Sequence, residues 1–162
     1  MTSFPALTIW QPWATLIMAG AKPHEFRGWA APRHVRGRRI AIHAGARPVR
    51  LSELRALRLQ LRGDNATGLD AEIALPLLER WTQDPSTLPL ASVLGTAVMG
   101  EPVKAHEIPA YAGRFVNDSD RDDHANFAWP LADIQIFMPP IPAKGAQGFW
   151  KWTAPVEAMA DV

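Results

Sequence analysis

The order of the predicted elements favours an α+β fold in which a mixed sheet curls and helices cover its ends. The chain opens with a strand and a helix, continues with leucines at helical spacing after residue 52, and ends with apolar runs typical of strands. This order does not fit a doubly wound parallel sheet, in which strands and helices alternate throughout. We therefore expect a sheet with few helical crossovers.

The first third of the chain predicts two strands and a short helix. Residues 7–10 are β-branched and aromatic and predict a strand, with Trp10 in the core. Pro12 is placed to open a helix that Gly20 ends. Residues 22–29 predict a loop that leads into a strand, and residues 38–43 predict a strand with Ile40 and Ile42 on one face.

The middle of the chain predicts helices, and the last part predicts strands. Leucines at positions 54, 57 and 61 give an amphipathic helix that ends at Gly63. After a turn at 64–68, a weaker helix at 71–81 contains Pro76, which should begin a new turn or kink the helix. Strands are predicted at 93–99, with an extension at 103–108, and at 134–137, where Pro139 and Pro140 should close the strand.

Length and composition limit the possible classes of protein. The 162 residues fit one domain, and the absence of cysteine excludes a disulfide scaffold, a zinc-thiolate site and thiol catalysis. We identify neither a leader sequence nor a run of about 20 apolar residues, so we expect a cytoplasmic protein without membrane association.

Arginine is concentrated in residues 27–62. That segment contains ten arginines and one acidic residue, Glu53; the arginines are Arg27, Arg33, Arg36, Arg38, Arg39, Arg47, Arg50, Arg55, Arg58 and Arg62. Clustered guanidinium groups suit phosphate, because each neutralised phosphate releases counterions. A solvated basic face that serves only solubility is the alternative.

Three blocks of residues resemble the ASCH family. They are Q-P-W-A at 11–14, G-x-K-x-x-E-x-R at 20–27 and I-H-A at 42–44. The other end of the chain is also similar to that family, at 127–129, Asp133, Pro142, Gly145 and 147–152. The resemblance implies a PUA-like fold, a small and partly open β-barrel with flanking helices, over a single domain spanning 1–162. Residues 47–90 carry no family motif and are expected to form a variable helical segment.

The motif places Lys22, Glu25 and Arg27 within six residues, next to Trp13 and Trp29. In an extended stretch Glu25 and Arg27 share a face, and Lys22 would reach in from the preceding turn. Burial beside Arg27 would ease loss of the Lys22 proton. These residues are candidates for binding, and Lys22 and Glu25 for catalysis; a structural ion pair is the alternative.

Aromatic and basic residues outside the motif complete the candidate ligand-binding set. Trp13, Trp29 and Trp150 flank polar motif residues and are candidates for stacking an unpaired base, with core packing as the alternative. His43 ends an apolar strand, where a structural histidine is the more common case. Arg38 and Arg39 belong to the basic segment and are candidates for phosphate contacts.

No metal or cofactor is predicted. The remaining histidines lack ligand spacing, and no nucleotide-binding glycine motif is present. The segment 117–123 resembles a calcium loop, but Asp123 occupies the position that needs glycine and Trp129 the position of the bidentate glutamate. We interpret it as a solvated acidic loop.

Three functions remain open on the sequence. The first is a module that binds RNA, single-stranded nucleic acid or a modified nucleotide. The second is a hydrolase, because relatives that the family resemblance brings in act as ribonucleases or as amidohydrolases on acetylated cytidine, using a lysine, a threonine and a glutamate. Lys22 matches that lysine, but Glu25 occupies the threonine position, which leaves Glu25 as a candidate general base. The third is an adaptor in a larger assembly.

Overall fold

The computed structural model describes residues 2–63, 67–111 and 127–159, and these form an α+β structure with one mixed sheet. The described strands are β1 (Ser3–Ile9), β2 (His24–Arg27), β3 (Arg39–Ala44), β4 (Ser92–Met99), β5 (Val103–Lys104), β6 (Phe127–Pro142) and β7 (Phe149–Thr153); the helices are α1 (Trp13–Met18), α2 (Leu51–Arg62) and α3 (Ala71–Gln83). The strand order is β2-β6-β4-β3-β1-β7, and β5 pairs with β6. The predicted α+β class is thus confirmed.

Within this sheet β1 and β3 pair in parallel, and the other paired strands are antiparallel. A parallel pair needs a crossover connection, which α1 and the segment containing β2 supply. The segment after β1 therefore carries the G-x-K-x-x-E-x-R motif to the opposite edge of the sheet, where β2 pairs with the beginning of β6.

The prediction that Trp10 belongs to the core is wrong. The strand β1 ends at Ile9, and Trp10 is 47% exposed. The Arg47 guanidinium lies over its ring, with Cζ 4.5 Å from the centroid. Apolar neighbours in sequence suggested burial, whereas in the structure the ring is only partly covered, by a cation that follows 37 positions later in the chain.

Two predicted helices form, and the second is longer and more regular than expected. In α2, the leucines at 54, 57 and 61 are buried against α3. The helix α3 is continuous through Pro76, so the proline does not begin a new helix as one of the two predicted outcomes had it. Asp70 caps its first turn by accepting from the backbone N–H groups of Glu72 and Ile73, and the proline, an exposed residue, removes only one intrahelical bond close to that capped end.

The strand predicted at 134–137 is part of the 16-residue strand β6, which continues through Pro139 and Pro140, where the strand was predicted to end. Val93 of β4 lies opposite Ile141, but Gly95 lies opposite Ile136, so the residues between them on β6 bulge out of register. A bulged residue does not need to donate to the neighbouring strand, and proline is therefore tolerated there.

The extension predicted at 103–108 is short. Only Val103 and Lys104 are extended, paired with β6, and a 3-10 turn follows from Ala105. The segment 117–123 and most of the turn at 64–68 lie outside the described residues.

Both faces of the sheet are apolar. One packs against α1 through residues that include Leu7, Ile40, Ile42 and Ile17, and the other buries Phe4, Ala41, Val93, Phe137 and Trp152. Gly95 allows β4 and β6 to approach closely, because a Cβ there would lie 2.1 Å from the Gln135 carbonyl oxygen. No helix in the described ranges is long and apolar enough to cross a bilayer.

The α2–α3 layer should depend on its buried leucines. Leu54→Ala removes a fully buried side chain and should lower the free energy of unfolding by about 2 to 5 kcal/mol in chemical denaturation. Leu59→Ala on the same helix is the matched control, because Leu59 is 74% exposed and should change stability by less than about 0.5 kcal/mol. Equal losses in the two variants would contradict this packing.

Candidate functional site

The turn between α1 and β2 holds Lys22. Its backbone N–H donates to the Leu16 carbonyl at 3.2 Å, and the N–H of Ala21 donates to the same oxygen at 3.0 Å. Gly20 makes this reversal possible, since its φ is +81°. The end of α1 therefore fixes the backbone from which the Lys22 side chain extends.

Lys22, Glu25 and Arg27 form a charged cluster at β2. The Lys22 ammonium donates to the His24 carbonyl at 2.7 Å and lies 3.6 Å from Glu25 Oε1. Glu25 Oε1 also accepts the backbone N–H of Phe26 at 3.0 Å, and Oε2 lies 3.4 Å from Arg27 Nη2. The two strand residues share a face, and the lysine approaches from the preceding turn.

Burial is unequal within the cluster. Lys22 is 1% exposed and Glu25 5%, while the Arg27 side chain keeps 21% of its surface exposed. The cluster thus presents its guanidinium to solvent and keeps the ammonium–carboxylate pair behind it.

Aromatic rings surround the two cations. Lys22 Nζ lies 4.8 Å from the centroid of Phe26 and 5.9 Å from that of Trp13. Arg27 Cζ lies 5.8 Å from the centroid of Trp129. Rings at these distances attract a cation electrostatically and replace part of the hydration that burial removes.

Burial lowers the pKa of Lys22 to about 8. Loss of hydration is the largest cause, the Glu25 carboxylate opposes it, and the nearby Arg27 cation adds to the lowering. An ammonium group with this pKa is partly deprotonated near neutral pH, whereas an ordinary surface lysine stays protonated.

Tyr111 packs against the β2 residues His24 and Phe26. His24 Nδ1 lies 3.1 Å from the Tyr111 hydroxyl, and the Tyr111 ring meets Phe26 edge to face at 5.5 Å. Burial, and then the Lys22 charge, lower the pKa of His24, while burial raises that of Tyr111. Both groups therefore favour their neutral forms beside the charged cluster.

Trp129 and Phe26 belong to the site but were not among the sequence candidates. Trp129 is 1% exposed and lies opposite Glu25 in the β2–β6 register. Its Nε1–H donates to the Trp29 carbonyl at 2.9 Å, which anchors the 54% exposed Trp29 beside Arg27. The sequence showed the family resemblance at 127–129, but it did not predict that these residues pair with β2.

His43 and Trp150 lie in a separate network with Thr8. The His43 Nε2–H donates to the Ala143 carbonyl at 2.7 Å, so Nδ1 can accept from the Thr8 hydroxyl at 3.1 Å, and Trp150 Nε1–H donates to that hydroxyl at 3.1 Å. Burial lowers the pKa of His43, and the bond to Ala143 partly opposes this. A Cβ at Gly145 would lie 2.6 Å from the Thr8 hydroxyl oxygen, so the network seats the 143–148 segment on the sheet.

The arginine-rich segment does not form one continuous cationic face. Within the described residues, five of its ten arginines pair with carboxylates: Arg27 with Glu25, Arg36 with Glu101, Arg39 with Asp133, Arg47 with Glu53, and Arg62 with Glu79. Arg39 also donates to the Thr96 hydroxyl and the Asp133 carbonyl, which ties β3 to β4 and β6. Arg38 lies outside the charged cluster, exposed, and donates to the His34 carbonyl.

The described part of the chain contains no group of three His, Cys, Asp or Glu side chains arranged to hold a metal ion. The charged cluster itself offers one carboxylate between two cations, a donor set suited to a polar or anionic ligand and unsuited to a divalent cation.

The lowered pKa of Lys22 should make stability depend on pH. Between about 8 and the ordinary value of 10.5 the unfolded chain holds the Lys22 proton and the folded chain does not, so the free energy of unfolding should rise with pH. Denaturation at pH 7 to 9.5 should show a steeper rise for the wild type than for Lys22→Met. Lys144→Met, at an exposed lysine, should keep the wild-type slope, and equal slopes for all three proteins would contradict the assignment.

Comparison with known proteins agrees with the blocks seen in the sequence. The model of the ASCH domain family matches residues 7–93, slightly more than half of the chain, and this range contains Lys22, Glu25, Arg27 and the helices α2 and α3. No curated protein matches the chain in sequence. The match covers β2 and the turn that carry Lys22, Glu25 and Arg27, and because it spans more than half of the chain, the chain belongs to the ASCH domain family.

Proposed function

We propose that this ASCH domain binds RNA or a modified nucleotide, with one nucleotide placed against the cluster of Lys22, Glu25 and Arg27. This proposal rests on one observation, that a buried ammonium, a carboxylate and a partly exposed guanidinium lie together beside aromatic rings. A nucleotide combines an anion, a hydrogen-bonding edge and a flat ring, and this cluster supplies a complement to each.

The charge of the cluster supports an anionic ligand. While Lys22 is protonated, two cations face one carboxylate, and the exposed part of Arg27 can make planar contacts with a phosphate. The exposed Trp29 ring lies two residues after Arg27 in the chain and offers a face on which a base can stack. Binding should therefore weaken as pH rises through the Lys22 pKa of about 8.

We also propose the finer fold and domain assignment on which this site depends. Residues 1–162 form a single PUA-like domain whose sheet curls into a partly open barrel, with 47–90 as a variable helical segment. Contact between Trp129 of β6 and Phe149 of β7, whose centroids are 6.1 Å apart, supports the curl, because β7 ends the strand order and β6 lies near its opposite end.

Hydrolysis of a bound nucleotide is the second candidate function, and the lowered pKa of Lys22 favours it. In this version Glu25 accepts a proton from water, while Lys22 and Arg27 stabilise negative charge that develops on an amide or phosphate oxygen. A bound substrate would have to reach Glu25 beside the partly exposed Arg27 side chain.

Binding should depend on the cluster more than on fold stability. Lys22→Met and Glu25→Gln keep the approximate shapes of the side chains, and each should weaken binding of short single-stranded RNA about 10- to 100-fold, the cost of losing a hydrogen bond to a charged group. Fluorescence anisotropy at pH 7 and 9 measures the affinity, and a thermal melt of each variant measures stability. Arg55→Ala, which removes an exposed cation from α2, serves as control.

Two results would decide against the proposal. Wild-type affinity in folded Lys22→Met and Glu25→Gln would leave the cluster as a structural ion pair that ties down the turn. RNA affinity that does not change with salt would remove the electrostatic part. Mass spectrometry of acetylated cytidine and structured RNA after incubation tests hydrolysis, for which full turnover by both variants would exclude these residues.

A further inference from the structure

A cleft of about 320 Å³ lies beside the edge strand β7, away from the charged cluster. Its lining residues include the first residues of β1. Six of the lining residues are cationic or aromatic: two cations, a histidine and three other aromatic residues. These are Arg38, Lys151, His34, Phe4, Phe149 and Trp150.

The cations of this cleft differ from the paired arginines. Arg38 and Lys151 are exposed, and neither has a carboxylate partner within the described residues. Arg38 Nη1 donates to the His34 carbonyl at 3.3 Å. This bond orients the guanidinium but does not neutralise its charge. Two cations in a concave site attract an anion more strongly than cations on a convex surface do.

The rings of the cleft are held in place. Trp150 donates through Nε1 to Thr8 and meets His43 edge to face at 5.4 Å, which holds its side chain on the face of β7 opposite to that of Phe149. Phe149 stacks on Trp129 with an interplanar angle of 15° and meets His34 edge to face. Preset rings bind a flat ligand at a lower cost in side-chain entropy.

A chain of ring contacts connects the cleft to the charged cluster. Arg27 lies 5.8 Å from the Trp129 centroid, Trp129 lies 6.1 Å from Phe149, and Phe149 lies 6.3 Å from His34. Because Phe149 lines the cleft, two contacts, Arg27 with Trp129 and Trp129 with Phe149, separate the two sites, a distance that an oligonucleotide of a few nucleotides can span.

We propose that the cleft binds the phosphate backbone and a base of single-stranded RNA on one side of the nucleotide held at the charged cluster. This rests on the proposed function and makes the ligand an oligonucleotide. Arg38 and Lys151 contact phosphates, and the partly exposed ring of Phe149, which shares a face of β7 with Lys151, stacks a flanking base. An acidic peptide would use the cations but would leave the aromatic faces unused.

The test compares RNA length in matched variants. Anisotropy is measured with labelled oligonucleotides of one sequence, from one to nine nucleotides, for wild type, for Arg38→Ala with Lys151→Ala, and for Arg55→Ala with Arg80→Ala. The last pair removes the same charge from the exposed faces of α2 and α3. Wild type and the helix pair should gain at least tenfold in affinity with length, and the cleft pair should lose that gain.

Salt and a competitor sharpen the test. The slope of log affinity against log salt should fall by about 1.4 in the cleft pair, about 0.7 for each lost phosphate contact on a single strand. Mononucleotide affinity should stay at the wild-type value. A glutamate-rich peptide of equal charge should compete poorly, and equal competition would overturn the proposal in favour of an acidic protein partner.

Failure of the cleft proposal is distinct from failure of the proposed function. A full length gain in the cleft pair, or an equal loss in the helix pair, would overturn the cleft while the dependence on Lys22 persisted. Loss of that dependence at every length would overturn the proposed function itself.

Discussion

Pairing of β6 with both β2 and β4 is the constraint on which the candidate site depends. Residues 127–130 of β6 pair with β2, and residues 131–142 pair with β4 in the middle of the sheet. A strand of four residues such as β2 has little stability alone, and this pairing joins it to the sheet. The register also sets Trp129 opposite Glu25, where its ring meets Arg27 on the same strand pair.

Energetics explain why the cluster of Lys22, Glu25 and Arg27 differs from an ordinary ion pair. Transfer of an ammonium and a carboxylate from water to the interior costs several kcal/mol for each ion. A protein in which apolar residues of similar volume replace a buried ion pair is often at least as stable as the original. The lowered pKa of Lys22 is the direct expression of that cost. The hydrogen bonds to the His24 carbonyl and from the Phe26 N–H offset part of it and also fix both groups in position. Preorganised charge of this kind is what a binding or catalytic site requires.

The local features of the molecule were predictable from the sequence, and its long-range features were not. Leucine spacing gave α2 to within one residue at its start, and alternation of Ile40 and Ile42 gave the face of β3, because both depend on neighbours a few positions away. The shared face of Glu25 and Arg27 has the same origin. The length of β6 was missed because a bulge accommodates its prolines, and a bulge is defined by the partner strand. Trp129 and the cover over Trp10 were missed for the same reason, since each depends on a contact with a distant segment.

The arginines show how this difference affects an argument about function. The ten arginines of residues 27–62 suggest a basic surface when they are counted along the sequence, but pairing with carboxylates neutralises half of them within the described structure. Arg47, which precedes α2, and Arg62, the last residue of α2, are among the paired residues. Arg38 and the distant Lys151 line one cleft, and no described carboxylate pairs with either of them. The field that an anionic ligand meets depends on the charges that remain and on the concavity that holds them. We therefore place the proposed phosphate-backbone contacts at the edge strand β7, which ring contacts join to the charged cluster.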